Sequence, residues 1–347
     1  MNNRNTIQGW NFSNLEINNA IKSRKLLNPS MDFTNMCNLN CIYCYIEDVD
    51  SLKKQKKNNE TTFDQKIQII KSFKALGAKT INIVGSGEPL LDPCFHDLIN
   101  FIDSLSMNIV LFTNGTNLYD NKSLIDFLFI KKVSIIIKLN SFIKEKQDFL
   151  VGKQGYSVIR DNVIKLLIEK GFNKSNPTRL GVDTIAMNLV KNELIKIHKY
   201  CRDNNIFPLM SDYIPAGRTM MGRFQKNNAP QINNILTNEI ELQPLSSDIK
   251  QEVISQITSL DKEYNILHNN KQAYYCGAKC SQILGLYVDI KGDIYPCIAK
   301  MRTNSIQNNT DGKLGNISDG ETIEEIWKRN DYISNILMMY NGACPYK

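Results

Sequence analysis

Met31-Asp32-Phe33-Thr34-Asn35-Met36 runs directly into Cys37-Asn38-Leu39-Asn40-Cys41-Ile42-Tyr43-Cys44, and this stretch decides the fold. Its first half reads as a short strand, and its second half is a loop crowded with thiols. Further on the same unit recurs, a strand-like run followed by a helix-period run. Lys79 to Val84, Met107 to Phe112, Val133 to Leu139, Leu180 to Met187 and Ile206 to Ile214 read as strands. Thr62 to Leu76, Cys94 to Leu105, Asn121 to Phe129, Tyr156 to Glu169 and Asn192 to Asp203 read as helices. Phe63, Ile67, Ile70 and Phe73 fall near helical spacing, and Gly77 and Gly171 stand where helices stop. The sixth repeat lacks a clear helix. Such alternation predicts parallel strands with crossover helices. The fold class is therefore α/β, a partial (β/α)6 TIM-like barrel over 31–218, with its chemistry on the loops at the C-terminal ends of the strands.

Outside the barrel the pattern changes. Residues 1–30 form an N-terminal extension. Residues 219–271 are polar and Asn-rich, with one helical stretch around Ile249 to Leu260, and read as a linker or bridging region. Residues 272–347 read as a small α+β domain, with a hairpin from Leu284 to Pro296 turning at Lys291-Gly292-Asp293 and a helix from Thr322 to Ile336.

Composition narrows the functional classes. With 347 residues the chain buries enough surface to fold without disulfides. A hydrophobic share of 42% and a charged share of 22% are those of a soluble globular protein. The net charge of +7 is mild, and its densest basic run, Lys53-Lys54-Gln55-Lys56-Lys57, is short, so no nucleic-acid partner is expected. No window approaches the ~18 apolar residues of a membrane span, and Met1 to Trp10 lacks the apolar core of a signal peptide. A cytoplasmic protein is expected, in which nine cysteines point to metal binding or catalysis.

Cys37, Cys41 and Cys44 suit zinc or an iron–sulfur cluster. A structural zinc site wants a fourth ligand, and none lies nearby in sequence. Three thiolates on a four-iron core leave one iron open to an external ligand. At this point the chain resembles the radical S-adenosylmethionine (SAM) superfamily, whose signature spaces three cysteines three and two residues apart with an aromatic before the last. Cys37, Cys41, Tyr43 and Cys44 match it. Gly85-Ser86-Gly87-Glu88-Pro89, after the second strand, resembles the family's Gly-Gly-Glu-Pro element, with Ser86 in place of a glycine.

The resemblance implies a SAM-binding [4Fe–4S] cluster on the three cysteines and SAM as cosubstrate. It implies reductive cleavage to a 5′-deoxyadenosyl radical, which abstracts hydrogen from a C–H bond. Ser86, Gly87 and Glu88 are then expected at the SAM amino group, Tyr43 against the adenine and Asn114 near SAM. Asn188 is expected to reach the ribose, and Arg218, in Pro215-Ala216-Gly217-Arg218, to face SAM or substrate. Lys138 interrupts the apolar run Ile135-Ile136-Ile137. It is either a clamp on the SAM carboxylate or a strand-end lysine reaching solvent. Asp183, Asp212 and Tyr213 are candidate acid, base or substrate anchors, or else satisfied structural polar groups. Cys94, near the active rim, is a candidate hydrogen donor to a substrate radical, and Cys201 a packing residue.

A second constellation, Cys276, Cys280, Cys297 and Cys344, resembles the SPASM/twitch extension and implies one auxiliary [4Fe–4S] cluster. A four-cysteine zinc site is the alternative for these residues. The expected enzyme is thus of radical SAM oxidoreductase or epimerase type, served by an electron donor such as flavodoxin or ferredoxin. Peptide-modifying relatives often carry a peptide-binding module ahead of the cysteine loop, whereas 36 residues precede Cys37 here. Sulfatase-maturing relatives place an aspartate where this chain has Ile298. Both departures lean toward oxidation or epimerisation of a small natural product. The alternatives are a maturase that cross-links or epimerises a ribosomal peptide and, from another class, a non-catalytic iron–sulfur or zinc protein.

Overall fold

The computed structural model describes residues 6–46, 60–214, 217–219, 242–266, 284–298 and 312–329. Six strands, β1 (Ser30–Asp32), β2 (Thr80–Val84), β3 (Asn108–Thr113), β4 (Ser134–Lys138), β5 (Leu180–Ala186) and β6 (Phe207–Asp212), lie side by side in chain order. Every neighbouring pair is parallel. Alternate side chains of a strand leave by opposite faces, and that sorting builds the molecule. Ile81, Ile83, Ile109, Leu111, Ile135, Ile137, Leu180 and Val182 face the helices in the main core. Val110, Ile136 and Phe207 face the other way, into the curve of the sheet.

Between the strands stand α2 (Phe63–Ala75), α3 (Phe95–Ser104), α4 (Lys122–Ile130), α6 (Tyr156–Lys170) and α7 (Leu194–Asp203), preceded in the chain by α1 (Asn14–Lys22). At the start of α2, Gln65 N–H donates to Thr62 Oγ1 (3.2 Å) and Thr62 N–H donates to Gln65 Oε1 (2.9 Å), a reciprocal cap. The first strand stops at Asp32 rather than Met36; Asn35 turns its backbone N–H to the Glu60 carboxylate instead of a ladder, and the Thr34 hydroxyl donates to the same carboxylate. A helix not expected from the sequence, α5 (Lys144–Val151), follows β4.

The N-terminal residues do more than extend the chain. Ile7 bridges to Thr178, and Ile7 and Trp10 pack on Val110, Ile136 and Phe207 as a floor to the sheet's concave face. Trp10 Nε1–H donates to Asn82 Oδ1 at 2.7 Å.

The polar bridge likewise contributes a structural element, α8 (Ser247–Glu263). Its Asp261, fully buried, accepts from Arg202 Nε (2.8 Å) and Nη2 (2.9 Å) and meets His198 Nε2 at 2.7 Å, clamping α8 to α7.

The hairpin, β7 (Tyr287–Val288) and β8 (Asp293–Tyr295), turns where expected and is joined by β9 (Gly315–Asn316). β7 runs parallel to β1, Ser30 opposite Tyr287, so the hairpin continues the barrel sheet into nine strands. Ile323, Ile326 and Trp327 of α9 (Ile323–Arg329) enter the same core as the barrel helices. The expected continuation of that helix to Ile336 lies outside the described residues. Among the described residues no helix is long and apolar enough to cross a membrane.

Candidate active site

A cavity of about 400 Å³ rises from Trp10 and Asn82 along the concave face to the loops at the C-terminal strand ends. Its wall holds Cys37, Cys41, Tyr43 and Cys44 from the loop after β1, and Gly85 to Glu88 from the loop after β2. Asn114 follows β3, Lys138 ends β4, and Ser211, Asp212 and Tyr213 come from the end of β6.

The cysteine loop has no regular structure, so its shape comes from its anchors. Asn40 N–H donates to Val151 O (3.1 Å) and Ile42 N–H to Leu150 O (3.0 Å), which hang the loop on the end of α5. Arg218 donates from its backbone N–H to Cys44 O (3.1 Å) and from Nη1 to Cys41 O (3.0 Å). Glu88 N–H donates to Met36 O at 2.7 Å, and a Cβ at Gly87 would lie 2.3 Å from that same oxygen. Only a glycine lets the β2 loop come this close to the cysteine loop.

Burial dominates the thiols' acidity. Desolvation pushes Cys37 up to about 11 and Cys41 to about 12, and Cys44 and Cys37 beside Cys41 raise it further. Cys37 and Cys41 therefore hold their protons until positive charge arrives. Arg218 supplies some, acting on Cys37 in the opposite direction to burial.

Glu88 is buried and tied to three donors: Thr113 Oγ1 (2.5 Å), Asn114 N–H (2.7 Å) and Leu90 N–H (3.2 Å). Its carboxyl links the loops after β2 and β3. Desolvation outweighs these bonds and raises it to about 7. Asn114 Nδ2 donates onward to Asn38 Oδ1 (2.9 Å), joining the cysteine loop to the same assembly.

Lys138 forms an ion pair with Asp183, and both residues line the cavity. Asp183 also accepts from Ser211 Oγ at 2.7 Å. Asp212 is paired with Lys250 of α8 at 2.7 Å, and Tyr213 is buried with Tyr43, Met210 and Val253. Asn188 and Arg218 do not line the cavity themselves, yet Asn188 Oδ1 and Arg218 Nη2 are buried without a hydrogen-bond partner. Such atoms want a partner that the protein does not supply.

Cys94 is elsewhere. It precedes α3, takes no place in the cavity wall and packs against the helix-side core, as Cys201 does from full burial. Of the second constellation, Cys297 is buried just after β8, and its neighbour Ile298 lines the cavity. Cys276, Cys280 and Cys344 lie outside the described residues. The sequence reading missed Trp10, Tyr45, Asn82 and Ser211, which line the cavity, and Asp32 and Lys250, which pair with Ser86 and Asp212 of its wall. Asp32 carried a signal, an acidic residue inside an apolar strand.

The donor set fits an iron–sulfur core. Cys37, Cys41 and Cys44 are the chemistry it requires, and the orphaned Nη2 of Arg218 stands beside their loop. Among the described residues, no group of three or more His, Cys, Asp or Glu is arranged to hold a single metal ion. A parallel barrel segment with a three-thiol loop over its cavity is a build that suits an iron–sulfur protein.

Comparison with known proteins makes the assignment specific. The chain carries a radical SAM domain and, C-terminal to it, a SPASM domain. The family model of the radical SAM superfamily matches residues 31–188, and that of the SPASM iron–sulfur cluster-binding domain matches residues 276–345. The cofactors are accordingly a [4Fe–4S] cluster with SAM and an auxiliary iron–sulfur cluster.

Protein MJ0804 of Methanocaldococcus jannaschii is 28% identical over 280 residues, 73% of this chain and 88% of that one. A probable GTP 3′,8-cyclase of the same organism is 27% identical over 252 residues, 72% and 73% of the two chains. AlbA of Bacillus subtilis, a biosynthesis protein of the antilisterial bacteriocin subtilosin, is 22% identical over 311 residues, 87% of this chain and 61% of AlbA. Streptococcus suis SuiB, crystallised with its precursor peptide SuiA, shares the fold at a TM-score of 0.58 and 17% identity, covering 92% of this chain and 69% of SuiB.

Proposed function

We propose that this protein cleaves SAM reductively and uses the radical to take hydrogen from a C–H bond of a peptide. The observation that carries the reading is that Cys37, Cys41 and Cys44 share one cavity wall with the Gly85–Glu88 loop and the polar ends of β4 to β6. Bound to the three thiolates, a [4Fe–4S] cluster with an open iron would supply the site for SAM and the electron that breaks its carbon–sulfur bond.

The chain's own groups hold and shape that site. Arg218 brings positive charge to the thiol loop, and Glu88 fixes the loop expected at the SAM amino group. Tyr43 and Asn114 stand beside them, and the unpartnered Oδ1 of Asn188 is free to accept from a ribose hydroxyl. Lys138 and Asp183 offer opposite charges to SAM or substrate, while Asp212 and Tyr213 are the candidates for moving a proton. Cys297, with Cys276, Cys280 and Cys344, would hold the auxiliary cluster beside the cavity. An electron donor such as flavodoxin or ferredoxin, in the cytoplasm, completes the reading.

For the substrate, the similarity to AlbA over 87% of the chain supports a peptide over the small natural product expected from the residues ahead of Cys37. A small substrate is the second reading, favoured by the similarity to a probable GTP 3′,8-cyclase. Isotope transfer separates them. With a deuterated candidate precursor peptide, the reconstituted, reduced enzyme should place deuterium in 5′-deoxyadenosine. If 5′-deoxyadenosine forms but never takes deuterium from peptide, the peptide reading fails.

A further inference from the structure

Ser86 departs from the glycine expected at its position, and its hydroxyl has a defined use. It donates to Oδ2 of Asp32. The same oxygen accepts from Tyr287 OH at 2.7 Å, and Tyr287 belongs to β7 of the C-terminal hairpin. Asp32 and Tyr287 are both buried. Asp32 is the last residue of β1, the strand at which barrel and hairpin meet: β2 pairs on one side of it and β7 on the other. One carboxylate therefore ties the loop after β2 to the strand that leads into Cys297.

The tie is reinforced around both ends. Tyr45 OH donates to Gly85 O at 3.2 Å, fixing the cysteine loop to the same turn. Leu27 and Ser30 donate backbone N–H groups to Leu284 O and Leu286 O, both at 2.7 Å, which hold the hairpin on the barrel edge. Desolvation, followed by the Asp32 charge, keeps Tyr287 well above the usual tyrosine range, so it remains a donor. A buried carboxylate between two hydroxyl donors is a charge-assisted junction, roughly twice as strong as a neutral one.

We propose that Asp32 is a positioning residue that couples the Gly85–Glu88 loop to the C-terminal hairpin through Ser86 and Tyr287. Removing the hairpin's hydroxyl then loosens the SAM-side loop, although Tyr287 belongs to a different part of the chain. The inference rests on the cavity's assignment to SAM only for its consequence in binding. The coupling itself is readable without SAM.

The test uses full-length Tyr287→Phe and Ser86→Ala, each of which removes one hydrogen bond and keeps the Cβ and its backbone restriction. Amide hydrogen exchange is followed at 85–88 without SAM, with exchange in β3 of the same sample as the internal reference. Tyr287→Phe should speed exchange at 85–88 severalfold relative to β3. In the reconstituted protein both variants should raise the SAM Kd by about fivefold to tenfold, about 1–1.4 kcal/mol. The double variant should fall short of the product of the two effects, because both act on one carboxylate. Unchanged exchange at 85–88 in Tyr287→Phe overturns the coupling. Multiplicative effects on Kd overturn the shared junction. Altered exchange with no SAM binding in any form leaves the coupling standing and overturns the SAM assignment.

Discussion

Gly217→Ala tests whether the thiol loop's shape is set from outside. Gly217 has φ +64°, and a Cβ there would lie 2.2 Å from both the carbonyl carbon and oxygen of Tyr45 and 2.8 Å from Cys44 O. Comfortable carbon contacts begin near ~3.5 Å, so the Cys44–Tyr45 backbone must retreat by about 1 Å. Cluster ligands tolerate errors of only about 0.2 Å. The left-handed conformation costs alanine roughly 1–2 kcal/mol, and overpacking against backbone adds about 1–3 kcal/mol. Gly155→Ala is the control, because Gly155 has φ +77° with nothing within 4 Å of its Cβ position. It should lose only the conformational part, about 1–2 kcal/mol. Urea unfolding of both variants and anaerobic iron titration make the comparison. Gly217→Ala should be less stable than Gly155→Ala and lose most of the iron of the three-thiol site. If it matches Gly155→Ala in stability and loads iron like the wild type, the loop's shape is not set from Gly217.

Other outcomes follow from buried charge. Asp261→Ala removes the buried carboxylate that Arg202 and His198 share and should cost about 3–5 kcal/mol in urea unfolding, with α8 the first helix to exchange. A cost within the range of an exposed substitution would show that no such clamp holds α8. Glu88 binds its proton more tightly folded, at about 7, than at its ordinary 4.5. The folded state therefore holds more protons between those values, and stability falls as pH rises through that interval. Glu88→Gln should flatten that fall when urea midpoints are compared between about pH 5 and about pH 8. An unchanged slope would show that Glu88 is not the group responsible.

How far the fold is legible in the sequence depends on whether one residue's environment lies in its own element. β2 to β5 and their helices announce themselves, since period-two runs such as Thr80–Val84 state which side chains share a face. The hairpin turn at Lys291-Gly292-Asp293 and the thiol spacing are local in the same way. What meets those faces is not local. Ile7 and Trp10 sit among polar neighbours, and nothing in their spacing tells that they floor the sheet over Asn82. Helix α5 hides because its apolar residues bunch at Phe149-Leu150-Val151, while its fully buried Gln147 satisfies Asn140 and Ser141 N–H. The polar bridge reads as linker for a related reason: Asp261 looks like a surface acid until Arg202 and His198 are brought to it.

In the site, the cysteine loop and the Gly85–Glu88 element were readable as patterns, but their fastening was not. Lys138 shows the limit clearly. Its interruption of an apolar strand predicts an anionic partner, and Asp183, 45 positions away, supplies it. Asp32 shows the opposite, a visible anomaly whose meaning needed both Ser86 and Tyr287.

The central claim is that Cys37, Cys41 and Cys44 hold the cluster at which SAM is cleaved, separate from the iron held by the C-terminal cysteines. The direct measurement is anaerobic reconstitution of the wild type and of Cys37→Ala/Cys41→Ala/Cys44→Ala. Iron is counted, and 5′-deoxyadenosine is assayed under reducing conditions. The triple variant should keep about half of the wild-type iron and form no 5′-deoxyadenosine, while the wild type forms it. A triple variant that still forms 5′-deoxyadenosine, or a fully loaded wild type that forms none, would contradict the claim.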